Sequence, residues 1–164
     1  MATRFRKYFR TLLAGSLVFG GVIVASVVGG SLPASASPMV ALYVTPSGSG
    51  NCTSAATPCG SIQTAITTAE DGTYNGDDVT INVAASSTAY TGDDTVSASS
   101  LNSLTIAGAG ASTTTVNGRG VNSVFTVENG TVTLSGLTVT YGAATVGGGI
   151  DNGGTLTITS STVS

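Results

Sequence analysis

The chain has 164 residues, of which only 8% are charged, with five Lys and Arg, eight Asp and Glu, and no His. Arg119 is the single basic residue after position 36, so this part of the chain cannot neutralise a run of phosphates, which excludes nucleic-acid binding. The lack of His also excludes Ser-His-Asp and Cys-His nucleophile arrangements and imidazole zinc sites.

The first 36 residues have the organisation of an export signal. The other four basic residues lie in the first ten positions, and residues 11–30 are uncharged and rich in Leu, Val, Ala and Gly. Ala34 and Ala36 place small residues at the two positions that signal peptidase requires, which predicts a signal peptide at 1–36. The alternative is an uncleaved membrane anchor, because about 20 apolar residues can span a bilayer. We therefore expect a secreted or cell-surface protein, with membrane contact only through an uncleaved segment.

Cys52 and Cys59 are the only two cysteines. In an exported chain such a pair predicts a disulfide, which here closes a loop over residues 53–58. Two thiols without His make a poor metal site, and the spacing does not match the C-x-x-C pattern of redox pairs.

Residues 62–69 carry the one helical pattern that follows the export signal. Apolar side chains recur there at helical spacing, with Ser61 as a start signal and Gly72 as a stop signal. The pattern predicts a short amphipathic helix whose buried face comprises Ile62, Ala65, Ile66 and Ala69. We assign the disulfide loop and this capping helix to an amino-terminal segment, 37–76.

Residues 77–164 predict short strands that repeat. Apolar side chains alternate with Thr or Asn in runs at 79–83, 104–106, 132–134 and 156–158. Leu134 returns as Ile158 and Val139 as Val163, both after 24 residues, and an earlier copy lies 28 residues upstream. A period in the 20s predicts a parallel β-solenoid with about three strands per coil, each stacked at ~4.8 Å. A β-sandwich is the alternative, but it gives no reason for a near-fixed offset.

The repeat also assigns core and turn positions. Asn129 and Asn152 should occupy matching turns, either hydrogen-bonded in a ladder or in ordinary local turn contacts. Because the pattern breaks off inside a coil, we expect an incomplete solenoid with an exposed end that promotes end-to-end self-association. The predicted repeat core comprises Leu104, Ile106, Val132, Leu134, Val139, Leu156, Ile158 and Val163.

Two segments carry a resemblance to known proteins. Tyr43-Val44-Thr45-Pro46, the Cys52–Cys59 loop and residues 62–66 resemble the start of bacterial right-handed parallel β-helix proteins. Residues 147–158 resemble a repeat of pectate-lyase-like, polymorphic outer-membrane-protein-type surface solenoids. The resemblance covers about residues 41–164 and implies an all-β, right-handed parallel β-helix. Such solenoids include surface adhesins, autotransported proteins and polysaccharide-cleaving enzymes.

The resemblance supplies no matched catalytic position. Polysaccharide lyases of this fold use an acidic calcium site and an Arg or Lys base, and the only candidate base, Arg119, lies between two glycines. This pattern favours an exposed turn arginine over a catalytic one. Two acidic pairs are weak candidates for calcium ligands, with surface acids as the alternative: Asp77, Asp78, Asp93 and Asp94.

We therefore expect an exported, non-catalytic, adhesin-like β-helix module that needs no cofactor. Its expected partners are a cell-envelope or extracellular polysaccharide or a protein. The alternative is the amino-terminal part of a polysaccharide lyase or glycoside hydrolase whose active site lies beyond Ser164.

Overall fold

The computed structural model describes residues 37–164, and the predicted signal peptide at 1–36 lies outside the described residues. One α-helix, one 3-10 turn (Ala98–Ser100) and twelve strands make up the described part. In chain order the elements are β1 (Met39–Val44), α1 (Ile62–Glu70), β2 (Asp78–Val83), β3 (Tyr90–Thr91), β4 (Asp94–Ser97), β5 (Ser103–Gly108), β6 (Thr115–Asn117), β7 (Phe125–Asn129), β8 (Thr131–Ser135), β9 (Thr138–Thr140), β10 (Ile150–Asn152), β11 (Thr155–Thr159) and β12 (Thr162–Val163).

The strands form three parallel sheets. Sheet A has the order β1-β2-β5-β8-β11, sheet B is β3-β6-β9-β12, and sheet C is β4-β7-β10. From β2 onward the chain visits sheets A, B and C in turn, so each coil adds one strand to every sheet. This arrangement is a parallel β-solenoid, and it confirms the predicted all-β fold with three strands per coil.

The strand register follows the sequence repeat. Ile158 pairs with Leu134 and Val163 pairs with Val139, as the 24-residue offset predicts. Leu104 pairs with Val132 across the longer offset. The extra residues of the longer coil lie in the turn between β5 and β6, because turns accept insertions that a hydrogen-bonded ladder does not.

The apolar members of each strand line the interior of the solenoid. Among the predicted core residues, Leu156 is half-buried, while Ile158 and Val163 on β11 and β12 are 44% and 47% exposed. Their partners in the preceding coil are fully covered, since a further strand lies on each side of them. The buried predicted core residues are Leu104, Ile106, Val132, Leu134 and Val139.

Helix α1 covers the start of the solenoid. Ser61 is its N-cap, and the Ser61 hydroxyl accepts a hydrogen bond from the Thr64 backbone N–H at 3.1 Å. The buried face contacts β1, β2 and β4, which confirms the predicted amphipathic helix. No helix among residues 37–164 is long and apolar enough to cross a membrane. The residues of the buried helix face are Ile62, Ala65, Ile66 and Ala69.

The predicted disulfide is present between Cys52 and Cys59, whose Cα atoms lie 4.6 Å apart. Both cysteines are buried. Backbone hydrogen bonds join the loop to β1: the Tyr43 N–H donates to the Cys52 carbonyl at 2.8 Å, and the Cys59 N–H donates to the Tyr43 carbonyl at 3.0 Å. The disulfide therefore attaches the loop to the first strand of sheet A.

We expect the Cys52→Ala/Cys59→Ala variant to lose about 2 kcal/mol of unfolding free energy, because a short closed loop restricts the unfolded chain only modestly. Denaturant unfolding of exported wild-type and variant protein measures this difference. A reducing agent should destabilise the wild type and leave the variant unchanged. Two free thiols in non-reduced exported protein, detected by alkylation and mass spectrometry, would contradict the prediction.

Candidate functional site

The outer face of sheet A carries an unbroken row of threonines. Thr80 pairs with Thr105, Thr105 with Thr133, and Thr133 with Thr157, on four consecutive strands. We call these four residues the threonine ladder. They lie on the outer face because their neighbours in each strand point into the core and side chains alternate along a strand.

Two further rows of small polar residues flank the threonine ladder. On one side Thr131 pairs with Thr155, and on the other Ser135 pairs with Thr159. Strands β8 and β11 therefore each present three hydroxyl side chains at alternate positions. The outer face of sheet A thus bears hydroxyl groups in two directions, along the strands and across them.

The ladder hydroxyls are available to a ligand. Within residues 37–164, none of the four donates to or accepts from another protein group. The Thr67 and Thr68 hydroxyls of α1, by contrast, donate to the carbonyls one turn earlier, both at 2.9 Å. Unused hydroxyls on a regular sheet can satisfy their hydrogen bonds only with solvent or a bound partner.

Asp78, at the β2 margin, is the single charged side chain on this face among the described residues. Its Oδ1 accepts hydrogen bonds from the Ser103 hydroxyl at 2.5 Å and the Asn102 amide at 2.7 Å. These bonds lower the pKa of Asp78, with Ser103 the larger cause. The remaining face is neutral, so it suits an uncharged partner.

A shallow cavity of about 400 Å³ adjoins the same face near the disulfide loop. Tyr43 and Asn82 line one side, and Pro58 of the disulfide loop lines another. Its lining is mostly apolar and includes no Asp, Glu, Lys or Arg side chain. The cavity extends the neutral character of the face to its β1 margin.

The two acidic pairs lie in different sheets. Asp77 and Asp78 stand at the start of β2 in sheet A, whereas Asp93 and Asp94 stand at the start of β4 in sheet C. The structure does not bring them together, and no group of three or more His, Cys, Asp or Glu in the described part is placed to hold a metal ion. Asp93 instead accepts from the Asn122 amide at 3.2 and 3.3 Å.

Asp94 is buried beneath the start of α1. It occupies the inward position that Phe125 holds in the next coil, and it is only 2% exposed. Burial raises the pKa of Asp94 to about 7, while a hydrogen bond from the Gln63 backbone lowers it and the nearby Asp93 charge raises it further. The Gln63 amide also bridges to β4: the Thr95 N–H donates to Gln63 Oε1 at 2.7 Å.

A second acidic contact joins the helix to sheet C. The Ser97 N–H donates to Glu70 Oε1 at 2.7 Å, and the Ser97 hydroxyl donates to Glu128. Partial burial raises the pKa of Glu70 against the lowering effect of the Ser97 hydrogen bond. Glu70 therefore joins α1 to β4, and Glu128 joins β7 to β4 in the neighbouring coil.

Arg119 lies in an exposed turn with a backbone φ of 57°. Its Nη2 donates to the Thr91 hydroxyl at 2.8 Å, and its N–H donates to Asn117 Oδ1 at 2.7 Å. The side chain therefore ties the turn after β6 to β3, at sheet B and away from the outer face of sheet A.

The predicted stacking of Asn129 on Asn152 is wrong. The register of β7 and β10 pairs Asn152 with Val127, two positions before Asn129. The additional glycine after Asn152 accounts for one position, and the other is Glu128, which the strand register skips between Val127 and Asn129. Asn152 makes local turn contacts instead: its Nδ2 donates to the Gly154 carbonyl at 3.1 Å. Asn129 Oδ1 is buried and accepts no hydrogen bond from residues 37–164.

A comparison of the chain with protein families, with curated proteins and with solved structures gave no match. The functional interpretation therefore rests on the geometry of the described residues.

The threonine ladder was not among the sequence predictions. Its signal was nevertheless present, because Thr recurs between the apolar residues of the repeated runs. The apolar half of the alternation predicts the core, and the polar half, placed in register by stacking, defines the outer face.

Proposed function

We propose that the chain is an exported, non-catalytic interaction module that presents the outer face of sheet A to an extended, uncharged partner. The observation that carries this proposal is the threonine ladder, which continues across four strands with unused hydroxyls. Small-molecule sites are concave and enclose their ligand. An open, regularly spaced face is instead suited to a partner that is itself regular.

Two features support an extracellular location. The Cys52–Cys59 disulfide is of a kind that persists in oxidising compartments. The amino-terminal sequence, with its basic start, apolar stretch and Ala34-Ser35-Ala36 ending, matches an export signal. Because the threonine ladder is part of the folded solenoid, an exported module would present it to a partner outside the cell without further folding.

The contacts of the ionisable groups support a non-catalytic role. Glu70 of α1 accepts a hydrogen bond from Ser97 of β4, and Arg119 donates to Thr91 of β3. Each of these groups joins one element of the solenoid to another. The alternative, the amino-terminal part of a carbohydrate-active enzyme, would need its catalytic groups in coils beyond Ser164.

Secretion of the chain of residues 1–164 from a bacterial host tests the proposal. We expect protein in the medium that begins at Ser37, and no release of unsaturated or reducing ends from pectin-like polymers. An Ala34→Glu/Ala36→Glu variant should stay uncleaved, because signal peptidase requires small residues there. Retention of wild-type protein in the cytoplasm would contradict export, and polymer turnover that disappears in Arg119→Ala would contradict the non-catalytic role.

A further inference from the structure

The spacing of the hydroxyl array is set by the sheet itself. Stacked residues such as Thr133 and Thr157 repeat at the strand separation of ~4.8 Å, and alternate residues such as Thr131 and Thr133 repeat at ~6.6 Å. Strands β8 and β11 carry three hydroxyl residues each, and β5 adds Ser103 and Thr105. The outer face is therefore a two-dimensional lattice of hydroxyl groups.

The side chains of this lattice are stiff and chemically uniform. Each threonine is β-branched, which restricts its χ1 rotation, and each presents one hydroxyl and one methyl group. No Lys, Arg or Glu stands on this face in the described part of the chain. A rigid array loses little conformational entropy when a partner binds.

From this geometry we infer that the outer face of sheet A, centred on the threonine ladder, binds ice. Oxygen atoms in ice crystals repeat in two directions, at a distance close to the strand separation along one and at a somewhat longer distance than the two-residue spacing along the other. The threonine hydroxyls can take the place of lattice waters, and the methyl groups can occupy the spaces between them. The inference deepens the proposed function by naming its partner, and it rests on that function because the chain would meet ice outside the cell.

A crystalline polysaccharide is the competing partner with a regular surface. Sugar rings present apolar faces that pack well on large, flat aromatic side chains. Among the described residues, Tyr43 on the edge strand β1 is the one aromatic side chain on this face. It pairs with Asn82 and not with a threonine of the ladder. Strands β5, β8 and β11 offer hydroxyl and methyl groups alone, which favours a water lattice over sugar.

The test compares lysine substitutions on two faces of the exported protein. Thr133→Lys and Thr157→Lys place a long, hydrated, charged side chain within the ladder. Because Thr157 is exposed, we expect lysine at that position to leave the fold intact. Thr126→Lys on β7 is the matched control, since Thr126 is also half-buried on an outer face but belongs to sheet C. Thermal unfolding confirms that each variant is folded.

The readouts are inhibition of ice recrystallisation and co-purification with a growing ice surface. We expect the wild type to be active and each ladder variant to need at least about tenfold more protein for the same inhibition, equivalent to about 1.4 kcal/mol of binding. Thr126→Lys should match the wild type.

Three results would overturn the inference: a wild type no more active than an unrelated protein, a control that loses as much as the ladder variants, or binding to crystalline cellulose or chitin without binding to ice. If the protein is exported and catalytically inactive but does not bind ice, this inference alone is refuted. Cytoplasmic retention or polymer turnover would refute the proposed function instead.

Discussion

Replacing Leu134 by alanine should lower the free energy of unfolding by about 2–5 kcal/mol, a large share of the 5–15 kcal/mol of a typical domain. Leu134 is fully buried and stacks between Ile106 of the preceding coil and Ile158 of the next. Truncation removes buried methyl groups and leaves a cavity, because the backbone hydrogen bonds between β8 and the strands on both sides prevent the coils from closing over it.

Thr133→Ala is the matched control for this substitution. Thr133 precedes Leu134 on β8 but belongs to the outer face, so its truncation should change stability by at most about 0.5 kcal/mol. Denaturant unfolding of both variants measures the difference. Equal losses would contradict the assignment of faces, since a slip of one residue exchanges the inner and outer side chains of a strand.

The protein should lose stability as the pH rises from about 4 to about 7, and Asp94 should be the main cause. Burial beneath α1 raises the pKa of Asp94 from 3.8 to about 7. The folded state therefore holds a proton over this range that the unfolded state has released, and stability falls as the pH rises. Below this window both states are protonated, and above it the loss is constant. The shift corresponds to at most about 4 kcal/mol.

Other carboxylates modify this pH profile. Burial raises the pKa of Glu70, so Glu70 acts in the same direction as Asp94. Side-chain hydrogen bonds lower the pKa of Asp71 and Asp78, so their small contributions are lost as the pH falls through the acidic range. The window between about 4 and 7 therefore belongs mainly to Asp94.

Unfolding measured at several pH values tests the assignment. Asp94→Asn keeps the shape of the side chain and removes its titration, so we expect its stability to change little across this range. Asp93→Asn, at the exposed neighbouring position, should keep most of the wild-type slope. Identical slopes in the wild type and Asp94→Asn would show that another group controls the profile.

Sequence patterns predicted the strands of sheet A better than those of sheet C. The runs that contain Val132 and Leu156 alternate over several residues and recur, so strand type and register both follow from them. Strands β4 and β10 are short and share no motif, and stacking on β7 determines their pairing. The helix was predictable because its apolar spacing and the Ser61 cap are local signals.

The order of residues alone determined the alternation, the repeat offset, the disulfide partners and the amphipathic helix, because each depends on chain neighbours or on the only available pairing. Tertiary structure decided which polar side chains share a face, and it placed Asn152 against Val127, two positions from Asn129. It also placed Asp94, which the sequence shows as one of two adjacent acids, in the interior beneath α1. Burial and lateral stacking bring together residues that are distant in the chain, so the threonine ladder and the raised pKa of Asp94 exist only once the coils are assembled.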